Sequence, residues 1–161
     1  MPTEAEIVEK FWKALKSDRT VMLRISKPGD MPRPMTAQVD EDMPGTIWFF
    51  ADRHDDLAGS LGSGAATEAT FADKGHDLFA TVEGNLSISD DPKMIDKLWS
   101  PFVEAWFPGG KTDPRLALLR MDPGAATIWL SETGIVSGVK MMLGIDVQED
   151  YKDKVAHTNL G

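Results

Sequence analysis

The chain has 161 residues, of which 42% are apolar, a size and balance suited to one globular domain around one core. Asp and Glu outnumber Lys and Arg by 26 to 17, for a formal charge of −9, which argues against nucleic acid or an anionic membrane as partner, since phosphates are held by clustered cations. There is no cysteine, and no apolar run nears the roughly 20 residues that span a bilayer, so disulfides, thiolate chemistry and a membrane helix are set aside.

The N-terminus, Met1-Pro2-Thr3-Glu4, lacks the basic and apolar stretches of a secretory signal, and the expected location is the cytoplasm. Thr3 with Glu6 forms a capping-box pattern, and Ile7, Val8, Phe11, Trp12 and Leu15 follow on one helical face. The period then changes to two. Val21, Leu23 and Ile25 alternate with Met22 and Arg24 before a turn at Lys27-Pro28-Gly29-Asp30. The stretch 33–39 is extended again, and Pro34 marks it as an edge or bulge because proline cannot donate to a ladder.

Pro44-Gly45 turns the chain into Thr46-Ile47-Trp48-Phe49-Phe50, a strand apolar on both faces that needs cover on both sides. A short helix is expected over 52–61, with Leu57 and Leu61 on its buried side. The stretches 65–71 and 78–88 read as a hairpin. In the second, Leu78, Ala80, Val82, Leu86 and Ile88 share a face, and Gly84 marks a point where a long strand coils. Asp91-Pro92 starts a helix carrying Met94, Ile95, Leu98 and Trp99, and a second helical piece carries Phe102, Val103 and Trp106 as far as Pro108-Gly109-Gly110. Two extended runs, 116–121 and 126–130, are expected on either side of a turn at Asp122-Pro123-Gly124. From 133 onward the tail is read as helical, with Val147, Tyr151 and Val155 as a short apolar stripe. The sum is an α+β, mainly β, single domain: a helix at about 4–17, an antiparallel barrel of six to seven strands at about 20–130, and a helical tail at about 133–161.

Familiar motifs of protein-borne chemistry fail on inspection. Gly110-Lys111-Thr112 resembles the end of a phosphate loop, but its first glycine would fall at Ala105 and Trp106-Phe107-Pro108 cannot cradle a phosphate. Gly62-Ser63-Gly64 lacks a third glycine and follows a helix, the wrong order for a dinucleotide fingerprint. His54, His76 and His157 have no metal-ligand spacing, so no metal is assigned. Any reaction would then have to rely on a cofactor.

Three stretches stand out together: Arg33-Pro34-Met35-Thr36 after a turn, Ile47 to Arg53 leading into a short helix, and Ala105 to Lys111. With Ile128-Trp129 near the end, they resemble the general-stress-protein branch of the pyridoxamine 5'-phosphate oxidase-like, FMN-binding split barrels, over roughly residues 4–144. The resemblance implies a split β-barrel homodimer with FMN, or alternatively FAD, at the subunit interface. It nominates Arg33, Pro34, Met35, Thr36, Phe49, Phe50 and Ala51 along the flavin, with Trp106, Phe107 and Trp129 approaching it. The helix after the aromatic strand would receive the phosphate, with Arg53 nearby; where relatives commonly carry a serine and a lysine, this chain has Asp55 and Leu57. The function implied is a flavin-binding stress protein, with flavin-dependent oxidoreduction of an unknown substrate as its chemistry. The alternatives are a flavin-sequestering protein and a cofactor-free dimeric interaction module. On the residues alone, Trp48, Phe49, Phe50 and Trp129 read as barrel core and dimer interface in preference to a flavin wall.

Overall fold

A computed structural model of the chain describes residues 2–131 and 154–161. Helix α1 spans Glu4–Asp18, and its capping box is formed: the Glu6 amide donates to Thr3 Oγ1 at 3.2 Å and the Thr3 amide to Glu6 Oε2 at 2.9 Å. It ends at Arg19, whose left-handed backbone (φ 59°) lets its N–H reach the Leu15 carbonyl. Ile7, Phe11 and Leu15 form the buried stripe. Each removes a large apolar side chain from water, a gain of about 1.5–3 kcal/mol apiece.

The strands β1 (Thr20–Ile25), β2 (Arg33–Thr36), β3 (Ile47–Asp52), β4 (Ala65–Ala72), β5 (Leu78–Ile88), β6 (Leu116–Leu130) and β7 (Val155–Asn159) form one antiparallel sheet. Its order is β2-β1-β4-β5-β6-β3, and β7 also pairs with β6. Between the strands lie α2 (Asp56–Gly59), α3 (Pro92–Leu98), α4 (Pro101–Trp106) and a 3-10 turn at Gly110–Thr112. The sheet curls into a barrel whose interior holds Leu23, Phe49, Leu86, Leu119 and Ile128, with α1 packed against the same core. This is the expected α+β barrel with flanking helices.

Two expectations are corrected. The stretch 116–130 is not two strands about a turn but one continuous strand. Asp122-Pro123-Gly124 falls where the β5–β6 register shifts between Val82 and Gly84, so the missing proline N–H lies at a ladder irregularity and not at a chain reversal. Gly84 is required there, because a Cβ on it would lie 2.6 Å from the Asp122 carbonyl oxygen. The helical tail is also revised: 155–159 is a strand, with Val155 opposite Trp129 and His157 opposite Thr127. The alternating Val155-Ala156-His157-Thr158-Asn159 suits an edge strand better than a helix; Val147 and Tyr151 lie outside the described residues.

The two-sided apolar strand β3 is covered within the chain. Ile47, Phe49 and Ala51 face the barrel, whereas Trp48 and Phe50 face a second cluster with Met94 and Ile95 of α3, Val103 of α4, Phe107 and Leu118. A bridge from Lys97 of α3 to Asp40 (2.9 Å) and Asp42 (2.5 Å) fastens this layer to the β2–β3 connection. The hydrogen bond from Lys97 holds the Asp40 carboxyl below its ordinary value, and Asp42, then Asp40, hold the Lys97 ammonium above its own.

Phe11 meets Phe71 edge-on at 6.3 Å and is 1% exposed, so Phe11→Ala should lower stability by about 3–5 kcal/mol in urea unfolding. Gly84→Ala should cost about 1–3 kcal/mol by forcing the β5–β6 irregularity open, read by the same measurement.

Candidate functional site

A cleft of about 430 Å3 opens between β2, the end of β3 and α4. Its volume lies within the roughly 300–1,000 Å3 usual for small-molecule sites. β2 supplies Pro34, Met35 and Thr36, followed by Gln38. Among the described residues β2 is an edge strand with β1 as its neighbour, and Pro34 is tolerated because no second ladder there needs its N–H. β3 supplies Phe50, Ala51 and Asp52, and Asp55 follows. Phe50 is held edge-on to Trp99 at 6.1 Å.

The outer wall is α4. Ser100 caps it by accepting the Val103 N–H at 3.3 Å, and Pro101 occupies its first turn. Val103 points inward, while Phe102 and Trp106, four residues apart on the other side, are 60% and 70% exposed. Large aromatics displayed beside an apolar cleft mark a binding surface more often than a solvated face.

The charge in the cleft is arranged by one loop. Asp113 is 8% exposed and accepts the Gly109 N–H at 3.1 Å and the Arg115 N–H at 2.9 Å. It also accepts from Arg115 Nε (3.4 Å) and Nη2 (3.2 Å), which pins the guanidinium by one edge at the cleft wall. The Arg115 side chain, then its backbone N–H, holds the Asp113 carboxyl below the usual range against the opposing effect of burial. Gly109 has no side chain because a Cβ there would lie 2.8 Å from the Asp113 carboxylate. Among the described residues the other charges at the cleft are carboxylates engaged by backbone amides: Asp52 accepts the His54 N–H at 2.9 Å and Asp55 the Ala58 N–H at 2.8 Å.

Of the residues nominated from sequence, Pro34, Met35, Thr36, Phe50, Ala51, Asp55 and Trp106 line this cleft, as does Phe107. Arg33, Phe49, Arg53, Leu57 and Trp129 do not. Arg33 donates to Asp30 at 3.0 Å, with Nη1 buried and unpartnered among the described residues. Phe49 (0% exposed) and Leu57 (1%) lie in the barrel core, where alternation along β3 and the inward side of α2 put them. Arg53 is taken by Asp90 (2.5 Å) and the Leu116 carbonyl (2.9 Å), tying the end of β3 to the segment after β5. Trp129 lies on the outside of the sheet opposite Phe79. Gln38, Asp52, Phe102, Val103 and Arg115 line the cleft without having been singled out. The i,i+4 aromatic pair of α4 was visible in the sequence, but nothing local reveals that Arg115 reaches β2 and β3.

The pyridoxamine 5'-phosphate oxidase-like family matches residues 6–153, nearly the whole chain. The chain belongs to this family. Among solved structures, it is similar to the general stress FMN/FAD binding protein of Xanthomonas citri at 52% identity and TM-score 0.77, covering 81% of this chain and 93% of that one. A general stress family protein of Xanthomonas campestris pv. campestris is 48% identical with TM-score 0.78, over 84% of this chain and 94% of that one. A general stress protein 26 from Jannaschia sp. CCS1 is 30% identical with TM-score 0.78, over 98% of both chains. General stress protein 26 of Bacillus subtilis is 38% identical over 47 residues, 29% of this chain and a third of its own length. The split barrel and the general-stress branch are therefore those that the sequence motifs implied.

Because the folded Asp113 carboxyl titrates below its unfolded value near 3.8, its contribution is present above about pH 4 and is lost as the pH falls through the lowered value. Denaturant unfolding followed between about pH 5 and pH 2 should fall less steeply in Asp113→Asn than in the parent.

Proposed function

We propose that this protein is a flavin-binding general stress protein acting as a homodimer, with FMN or FAD held where the cleft meets a partner copy. The observation that supports this most is the continuity between the cleft and an uncharged band on the outer face of the sheet, bordered on that face by Arg24, Glu68 and Glu83. Cross-strand partners share a face. Thr36 and Pro34, which line the cleft, are opposite Thr20 and Met22 of β1; Met22 is opposite Thr70 of β4, and Thr70 opposite Thr81 of β5. Beside that row runs Ala72, Phe79 and Trp129. Met22 is 41% and Phe79 37% exposed. Such a band, with Phe102 and Trp106 at its cleft end, is suited to cover by a second copy. On that arrangement Trp129, four strands from β2 on the same face, would approach the partner's cleft and not its own.

The cleft residues fit a flavin. Pro34, Met35 and Phe50 offer apolar surface, Thr36 and Gln38 offer polar groups to a ring edge, and Phe102 and Trp106 can exclude water. A bound flavin supplies hydride and single-electron transfer. The name of the 52% identical Xanthomonas citri protein supports the same ligand class. The reading includes a cytoplasmic location.

Titration of FMN and FAD into the purified protein should quench flavin fluorescence saturably; a protein that takes up neither overturns the reading. Sedimentation velocity should give twice the chain mass, and Phe79→Asp should halve it and weaken flavin uptake together. Bleaching of the bound flavin by NADH or NADPH without oxygen would assign oxidoreduction, and its absence storage.

A further inference from the structure

We infer that Arg115, held by Asp113, is the group that receives the anionic phosphate end of the ligand, in place of the α2 segment; this rests on the flavin reading above. Three observations lead to it. First, α2 is ill suited to an anion: it has four residues, the Asp55 carboxylate already caps it at the Ala58 N–H, and Leu57 is turned into the barrel core. Second, Arg53, the cation nearest in sequence, is committed to Asp90 and the Leu116 carbonyl and does not line the cleft. Third, Arg115 lines the cleft with a side chain 46% exposed and, among the described residues, with its Nε–Nη2 edge alone engaged.

A guanidinium has five N–H donors in a fixed fork, so gripping one edge orients the other for a planar, multidentate acceptor. Asp113 is thus a positioning residue. It is itself anchored by two backbone amides, Gly109 and Arg115, so the arginine is set by the loop rather than by its own rotamers. Asp52 acts on Arg115 as well, and with Asp113 and the cleft-lining Asp55 it leaves the surroundings of the cation net negative. Recognition of a phosphate there rests on the oriented guanidinium edge, working against the neighbouring carboxylates and without net attraction.

FMN and riboflavin differ by the phosphate alone, so the ratio of their affinities isolates this contact. The parent should bind FMN more tightly than riboflavin. Arg115→Gln should reduce that ratio by roughly ten- to a hundredfold with riboflavin affinity unchanged, the size expected for one charge-assisted bond. Arg115→Lys, which keeps the charge without the fork, should retain part of the preference. Asp113→Asn should lower FMN affinity and leave riboflavin alone, a selectivity that a merely structural role would not produce. If riboflavin and FMN both bind and Arg115→Gln leaves their ratio unchanged, this inference is overturned while the flavin reading stands. If neither binds the parent protein, both fall.

Discussion

The fold depends on one strand serving three partners. β6 is hydrogen-bonded to β5 along its length on one edge, and on the other to β3 through its first half and β7 through its second. The register shift opposite Gly84 lets β6 bend, and the bend allows the sheet to close around a core without a second sheet. Its first half, paired with β3, lies under the α3–α4 layer beside the cleft, and its second half turns Trp129 onto the outer face. The candidate site and the candidate partner surface are thus two ends of one element.

The sequence made the fold legible where periodicity was strong. The stripe of α1 and the alternation of β1 and β5 each imposed a single arrangement, whereas the double-sided apolarity of β3 demanded cover without saying whether α3 and α4 or a second copy supplies it. It misled at Asp122-Pro123-Gly124, where turn-forming residues serve a ladder irregularity. Local chemistry there is the same for a reversal and a bulge; only the partner strand decides. The tail misled for a related reason, since a short edge strand has too few residues for its alternation to outweigh weak helical spacing.

The cleft was half legible. Pro34, Met35, Thr36, Phe50 and Trp106 were accessible through motif order, whereas Phe49 and Leu57 show the limit of motif reading: adjacent residues on a strand face opposite ways, so a motif contains both wall and core. Arg33, Arg53 and Arg115 make the same point for charge. All three are equally cationic in sequence, but Asp30 takes one, Asp90 and a carbonyl take another, and only the third is left with an edge toward the cleft. Which arginine is spent and which is available is a property of tertiary contacts.

The construction of α4 separates two kinds of constraint. Its attachment to the barrel runs through Val103 and the following Phe107, which are buried, while the neighbouring Phe102 and Trp106 make up the rim and are not needed to hold the helix in place. The rim residues can therefore drift without cost to the scaffold. Descendants of such a chain could change ligand at positions 102 and 106 while inheriting the barrel intact, so the short helix is where divergence in specificity would first be written.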